Sequence, residues 1–181
     1  MPNPFQRDLT ESLTSQDHTR GNTNASVRII IYMDVTDPRS IPIHNTVAEI
    51  IQTLSNEVAV AYRYFPQTIQ FPQAFAVAQT LESAAAQDKF WDMVNHLLAH
   101  QDQLTDGLLR QHAGHIGLDK ARFEDDFSSP STLKRIQHDA QTAKDSHVET
   151  APAIFINGNR QQTLSMRFVQ DLIASDGNIS G

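Results

Sequence analysis

Cysteine is absent from this chain of 181 residues. Its absence excludes disulfide bonds, thiolate nucleophiles and metal sites with cysteine ligands. Basic residues are also few, because 14 Lys and Arg stand against 21 Asp and Glu and give a formal charge of −7. The longest basic cluster is the pair Lys134-Arg135. Since such a chain offers no surface for a phosphate backbone, nucleic acid is not expected as a partner.

Long apolar runs are missing too. No segment approaches the ~18 consecutive apolar residues that a membrane-spanning helix requires. The first residues, Met1–Arg20, lack the apolar core of a secretory signal. We therefore expect no membrane span, and we expect the cytoplasm as the location. No pattern in the sequence predicts a cofactor or a metal.

The length fits one domain with a hydrophobic core. Residues 1–26 are polar, show neither helical nor strand periodicity, and therefore predict an N-terminal arm. The remainder divides into a domain over residues 27–175 and a flexible tail over 176–181. Within the domain, about 71–147 contains several helical patterns and almost no strand pattern, which predicts a helical insertion.

The apolar patterns predict an α/β fold. Val27–Met33 is a β-branched run of the kind found in a buried strand, Ile43–Leu54 has apolar residues at helical spacing, and Val58–Phe65 is a second strand. A strand, a helix and a strand in this order imply a parallel pair with a right-handed crossover. After the insertion, Ala153–Ile156 predicts a strand, Asn157-Gly158 a hairpin turn, and the residues that follow a final helix.

One motif lies directly after the first predicted strand. Tyr32–Ser40 reads Tyr-Met-Asp-Val-Thr-Asp-Pro-Arg-Ser. It resembles the DsbA-like pattern aromatic, x, Asp, aromatic, x, Cys, Pro, x, Cys at the same spacing. Asp34 and Pro38 fit that pattern, whereas Asp37 and Ser40 stand where the family has its two redox cysteines.

Three further segments carry the same resemblance. Thr150–Gly158 is similar to the DsbA-like segment Gly-Thr-Pro-Thr-Phe-Phe-Ile-Asn-Gly, which bears a cis-proline loop. Ala84–Gln101 is similar to the helical insertion of the family, and Asp17–Val27 to the lead-in of DsbA-like domains, including those fused to sodium/proton antiporters. The resemblance implies a thioredoxin fold with an inserted helical domain, and a cis bond between Ala151 and Pro152.

The exchange of the cysteines has a physical consequence. In DsbA-like proteins the first cysteine lies at a helix N-terminus, where the helix dipole favours a thiolate. Because the same position suits a carboxylate, Asp37 is predicted at or next to a helix N-terminus, as an N-cap with a lowered pKa. Pro38 would then occupy the first turn of the helix. Thiol–disulfide exchange is excluded, and no residue is assigned a catalytic role.

In redox members of the family, the backbone before the cis-proline pairs with an extended substrate by strand addition. Ala151 keeps the backbone N–H and C=O for such pairing. We therefore predict a non-redox DsbA-like domain that binds or regulates an unidentified peptide or protein, and the family analogy makes a transporter one candidate partner. The predicted groove is formed by Asp37, Pro38, Arg39, Ser40, Ala151 and Pro152.

Three alternatives remain open at this point. Asp37 and Ser40 can simply cap a helix in a site that has lost its use. The chain can belong to the disulfide oxidoreductases by homology only, since it lacks the residues for their reaction. It can also be related to the kappa-type glutathione transferases, which share this architecture and use a serine near the start of the first helix, a role that Ser40 would fill.

Some polar residues outside the motif invite a functional interpretation. His96 and His100, and likewise His112 and His115, are spaced so that each pair lies on one side of a helix. With a third ligand such a pair can bind Zn²⁺, but the residues between His96 and His100 are Leu97–Ala99 and not the Glu of a metalloprotease helix. We interpret both pairs as solvated or hydrogen-bonded histidines. Arg63, between two tyrosines of the second predicted strand, is interpreted as a surface or edge residue.

Overall fold

A computed structural model describes residues 8–177 of the chain. The helices and strands follow one another in the predicted order, with one additional strand near the N-terminus. In chain order they are β1 (His18–Gly21), β2 (Val27–Met33), α1 (Ser40–Leu54), β3 (Val58–Tyr64), α2 (Ala74–Ala85), α3 (Phe90–Leu98), a short 3-10 helix (Gln101–Gln103), α4 (Asp106–His115), α5 (Lys120–Phe127), α6 (Pro130–Asp145), β4 (Ala153–Ile156), β5 (Asn159–Gln161) and α7 (Met166–Gly177).

The five strands form one mixed sheet in the order β1-β3-β2-β4-β5. β2 and β3 are parallel, with Val27 opposite Val58, and α1 connects them. β4 pairs with the other side of β2 in the antiparallel direction, with Ile30 opposite Phe155. The predicted parallel pair is therefore confirmed, and the helices α2 to α6 lie between the two halves of the sheet in sequence.

Both faces of the central strands are covered. Ile29 and Ile31 of β2 belong to the larger hydrophobic cluster, which includes residues of α1, α2 and α3. Ile30 and Tyr32 point to the opposite face and pack in a smaller cluster that includes Ala143 of α6. Because successive side chains of a strand alternate between faces, burial on both sides explains the continuous apolar run. None of the helices within residues 8–177 has the length and apolar character needed to cross a membrane.

The N-terminal segment differs from the predicted arm. His18–Gly21 forms the edge strand β1, which pairs with β3 in the antiparallel direction. Its four residues are polar or glycine and join the sheet through backbone hydrogen bonds. A strand without apolar residues shows no hydrophobic periodicity, so the sequence pattern did not predict β1. A Cβ atom at Gly21 would lie 2.2 Å from the carbonyl oxygen of Val58, which leaves room only for glycine. At the other end, α7 continues to Gly177, and residues 178–181 of the predicted tail lie outside the described residues.

The predicted hairpin forms between β4 and β5. Asn157 and Gly158 connect β4 to β5 and both have positive φ, at 50° and 83°. Two consecutive residues with positive φ are typical of a type I′ turn, whose twist matches that of the flanking strands.

The interpretation of Arg63 as a surface or edge residue is wrong. Arg63 is 2% exposed, since β3 lies between β1 and β2 and both of its faces are covered. Its Nε and Nη2 atoms donate to the two carboxylate oxygens of Asp17, at 2.8 and 2.9 Å. Its Nη1 and Nη2 atoms also donate to the carbonyl oxygens of Glu11 and Ser12, each at 2.8 Å. Arg63 thus ties the segment before β1 to the sheet.

A second arginine and a second carboxylate extend this buried cluster. Arg135 of α6 lies 3.2 Å from Asp17 and 3.1 Å from Asp139, measured from Nη2 to Oδ1 in each pair. Asp139 Oδ2 accepts the backbone N–H of Tyr64 at 3.0 Å. Burial raises the pKa of Asp139 to about 6, although the charge of Arg135 acts in the opposite direction. α6 is therefore joined to β3 by a carboxyl group whose pKa is raised to about 6.

This raised pKa predicts a pH dependence of stability. Between about pH 4 and pH 6 the Asp139 carboxyl is protonated in the folded chain and ionised in the unfolded chain, so raising the pH through this range destabilises the fold. The contribution amounts to roughly 2–3 kcal/mol over the range. We expect the stability advantage of the natural chain over the Asp139→Asn variant to shrink by this amount between pH 4 and pH 7, as measured by urea unfolding. An advantage that stays constant with pH would contradict the assignment.

Candidate functional site

The candidate site begins at the edge of the sheet where the parallel strands β2 and β3 both end. Asp34, the first residue after β2, is buried. Its Oδ1 accepts the backbone N–H of Thr36 at 2.9 Å, and its Oδ2 accepts that of Gln67 at 2.7 Å. Burial raises the pKa of Asp34 despite these hydrogen bonds. Asp34 therefore links the turn after β2 to the loop after β3.

Asp37 lies in that turn, before the helix α1. Its Oδ1 accepts the backbone N–H of Arg39 at 2.9 Å, and its Oδ2 accepts Nη2 of the same arginine at 2.6 Å. The N-cap of α1 is Arg39, and the helix begins at Ser40. Asp37 therefore lies next to the helix N-terminus, as predicted, but the prediction that it is the N-cap is wrong, and so is the placement of Pro38 in the first helical turn. The reason is a tight turn in which the Ser40 N–H donates to the Asp37 carbonyl oxygen at 2.9 Å, which delays the helix.

The charge state of Asp37 follows from these contacts. Burial opposes its ionisation, but hydrogen bonds from Arg39 and from Gln67 outweigh this effect and lower the pKa of Asp37, as predicted. A carboxylate consequently occupies the first cysteine position at neutral pH.

Ser40 occupies the second cysteine position and is 0% exposed. Its hydroxyl donates a hydrogen bond of 2.6 Å to the carbonyl oxygen of Asp34. A nucleophilic serine needs an accessible oxygen and a base that takes its proton. This geometry gives no support to a transferase role for Ser40, because the hydroxyl holds the turn together instead.

Ala151 and Pro152, the other residues of the predicted groove, lie beside this turn. The peptide bond between them is cis, and Ala151 is buried. Arg39 Nη2 donates to the Ala151 carbonyl oxygen at 2.8 Å, and the Ala151 N–H donates to Gln67 Oε1 at 3.2 Å. Both backbone groups that the sequence analysis assigned to an incoming peptide are thus already paired with side chains of this chain.

The structure brings Asp37, Arg39 and Ala151 into direct contact, while Pro38 and Arg39 are exposed and Ser40 lies beneath them. Gln67 belongs to the same site, since its Nε2 donates to Asp37 Oδ2 at 3.1 Å. Gln67 was not predicted as a site residue. A signal was present, because the carboxyl ends of parallel strands share one edge of a sheet, and Gln67 follows β3 as the motif follows β2.

Gln101 was also missed. Its Nε2 donates to the carbonyl oxygens of Val35 and Asp37, at 2.6 and 3.1 Å, so the 3-10 helix of the insertion supports the turn. Beside it lies a groove of about 390 Å³ whose lining includes Pro72 and Leu104. No local pattern indicates the contact of Gln101 with the turn, because it joins residues more than sixty positions apart.

The loop after β3 presents an apolar side chain near the site. Ile69 is 99% exposed, two residues beyond Gln67. Single exposed apolar residues are common on protein surfaces. Pro38 and Arg39 of the turn after β2 are exposed as well.

Known proteins and protein families with sequences similar to this chain identify its family. A protein-family model described as Thioredoxin matches residues 13–174. Among curated proteins, the chain is 30% identical over 164 residues to the Na(+)/H(+) antiporter NhaA 1 of Mycolicibacterium gilvum, covering 89% of this chain and 27% of that protein. It is 34% identical over 145 residues to the Na(+)/H(+) antiporter NhaA 3 of Salinispora tropica, covering 80% and 22%. The chain thus spans about a quarter of the length of these relatives.

Solved structures with low sequence identity share the fold. A thioredoxin-like oxidoreductase from Silicibacter pomeroyi superposes with a TM-score of 0.76 at 16% identity, covering 91% of this chain and 94% of that one. The α-DsbA1 protein of Wolbachia pipientis gives a TM-score of 0.76 at 16% identity, covering 90% and 92%. The prediction of a DsbA-like thioredoxin fold is confirmed.

Proposed function

Because this chain belongs to the thioredoxin family and has no cysteine, we propose that it is a non-redox DsbA-like module that binds an extended peptide segment of a partner protein. The contact surface is the groove between the turn Asp37–Ser40 and Ala151–Pro152. The observation that carries the proposal is the position of Arg39, whose side chain bridges Asp37 and the Ala151 carbonyl oxygen from the solvent side.

Arg39 behaves as a displaceable cover for this groove. Its side chain is 58% exposed, whereas that of Asp37 is 3% exposed. Ion pairs with an exposed partner contribute only about 0–1 kcal/mol, because water competes for them. Movement of Arg39 into solvent uncovers the Ala151 carbonyl oxygen and the Asp37 carboxylate together. An extended peptide then pairs with the backbone of Ala151 by strand addition, once the Gln67 side chain has moved away from the Ala151 N–H.

The same geometry defines the chemistry of the peptide. A carboxylate left buried without a partner is costly, so the preferred peptide carries a Lys or Arg side chain that replaces the Arg39 guanidinium at Asp37. Apolar residues elsewhere in the peptide would contact Ile69 and the groove beside Leu104. The preferred ligand is therefore extended, basic at one position and apolar at others.

The curated relatives suggest the kind of partner. They are named as sodium/proton antiporters, and this chain matches about a quarter of their length. We therefore extend the proposal to a segment of a transporter as the natural partner, in the cytoplasm, as the sequence analysis expected. This extension rests on the relatives and not on the groove, so the peptide proposal stands without it.

A titration of isotopically labelled protein tests the proposal. Extended peptides of equal length with a central Arg or a central Glu are added, and amide shifts are mapped by NMR. We expect shifts clustered at 37–40 and 151–153 with the Arg peptide and much weaker ones with the Glu peptide. Absence of shifts in both segments with every peptide would reject the groove as a receptor.

A substitution of Arg39 tests its role as the cover of the groove. Arg39→Ala removes the intramolecular competitor for Ala151 and Asp37, so we expect the Arg peptide to bind about tenfold more tightly, which corresponds to about 1.4 kcal/mol. Arg167→Ala on α7 is the matched control, because the Arg167 side chain is 92% exposed and lies 4.0 Å from Asp171. Equal affinities for all three proteins would contradict the role of Arg39.

A further inference from the structure

Four histidines of the insertion converge on one place, one from α3, one from the turn after it and two from α4. His96, at the end of α3, and His112, in α4, lie closest, with His96 Nε2 2.9 Å from His112 Nδ1. The ring centroid of His96 is 4.4 Å from that of His100, 4.9 Å from that of His112 and 5.0 Å from that of His115. Each pair lies within one segment of the sequence, and only the packing of α3 against α4 joins the two pairs.

Backbone carbonyl groups orient two of these rings. His112 Nε2 donates to the Gln103 carbonyl oxygen at 3.0 Å, which leaves the lone pair of the neutral ring on Nδ1, facing His96. His100 Nδ1 donates to the His96 carbonyl oxygen at 2.7 Å, which leaves a lone pair on Nε2. A histidine that binds a metal usually donates its other N–H to such a carbonyl or to a carboxylate.

We propose that His96, His100 and His112 form a binding site for a divalent transition-metal ion, with the exposed His115 or a water molecule as the fourth ligand. This inference is independent of the proposed peptide binding. Imidazole nitrogens suit Zn²⁺, Cu²⁺ and Ni²⁺. The ion would join α3 to α4 at the surface of the helical insertion. On binding, the Nε2 proton of His96 moves to Nδ1 of the same ring, so the ligand is a neutral imidazole.

The spacing of the rings fits such an ion. With Zn–N bonds of about 2.0–2.1 Å in a tetrahedral site, coordinating nitrogens lie about 3.3 Å apart and ring centroids about 5 Å apart. As the side chains of residues 8–177 lie in the structure, no group of three or more His, Cys, Asp and Glu residues is placed to hold a metal ion, so binding requires the rings to move. Here an N–H···N hydrogen bond of 2.9 Å holds His96 and His112 slightly closer than a metal would. An outward movement of a few tenths of an ångström replaces that bond with two metal bonds.

The whole chain is tested with Zn²⁺ by calorimetry and with Co²⁺ by visible absorption. We expect one Zn²⁺ per chain, a tetrahedral Co²⁺ spectrum and a higher melting temperature with the metal. His96→Gln and His100→Gln should each weaken binding at least tenfold. Both rings are half-buried, so these variants are expected to fold even if a change at the buried His112 does not.

His138→Gln serves as the control, because His138 is a helical histidine with 48% exposure whose ring pairs with Glu11, away from the cluster. It should bind Zn²⁺ as the natural chain does. No stoichiometric uptake, or uptake that the His96 and His100 variants leave unchanged, would overturn the proposal. Uptake of several weakly bound ions per chain would overturn it as well, since that describes scattered surface histidines.

Discussion

The double substitution of Asp37→Cys with Ser40→Cys is expected to confer disulfide reductase activity on a chain that contains no cysteine. The Ser40 N–H and the Asp37 carbonyl oxygen are 2.9 Å apart and close a turn. The ends of such a turn lie within about 7 Å, and a disulfide needs Cα atoms about 4.4–6.8 Å apart. Arg39, released from the carboxylate, would lie beside the thiol at position 37 and lower its pKa. Turnover of insulin disulfides measures the gain.

Two controls separate this gain from unspecific thiol chemistry. Asp37→Cys alone has no second thiol to complete an exchange, so it should form only a mixed disulfide with glutathione. Ser40→Cys alone should be slow to react, because position 40 is fully buried. If the double variant folds yet keeps both thiols free in oxidising glutathione, the turn does not have the geometry of a redox site.

Arg63→Met is expected to destabilise the fold by about 3–5 kcal/mol, the effect of removing one partner of a buried ion pair. The substitution leaves the buried Asp17 carboxylate with Arg135 as its cationic partner and with hydrogen bonds from Thr14, and it removes the donors for two backbone carbonyl groups. The free energy of unfolding in urea measures the effect. Replacing Arg63 and Asp17 together by Met and Leu should restore much of the loss, because no charge is then stranded.

Arg110→Met is the matched control for this prediction. Arg110 donates to Glu124 at 2.7 Å, a distance similar to that of the Arg63–Asp17 pair, but its side chain is 48% exposed. Water replaces the lost contact at such a site, so stability should change little. Equal losses for the two variants would show that burial is not what makes Arg63 important.

The predictable part of the fold depends on local patterns. The apolar runs of β2 and β3, the helical spacing of α1 between them and the Asn157-Gly158 turn were each evident from neighbouring residues, and the structure has all of them. β1 was not predicted, because an edge strand of four polar or glycine residues is held by backbone hydrogen bonds rather than by apolar side chains.

Part of the candidate site could likewise be predicted from the sequence, and part could not. The motif spacing identified the turn containing Asp37 and Ser40 and the opposing Ala151–Pro152, and the lowered pKa of Asp37 followed from its expected surroundings. The roles of Gln67 and Gln101 were missed, because each side chain reaches the turn across more than twenty-five positions of sequence.

From the amino-acid sequence alone come the α/β order of elements, the resemblance to DsbA-like domains and the exclusion of thiol chemistry, since periodicity, motif spacing and the absence of cysteine are local or compositional properties. Tertiary structure alone decides that Arg63 is buried, that Arg39 and Gln67 hydrogen-bond to the backbone of Ala151, and that two separate histidine pairs form one cluster. Each of these depends on contacts between segments distant in sequence, and such contacts arise only when the helices and strands pack.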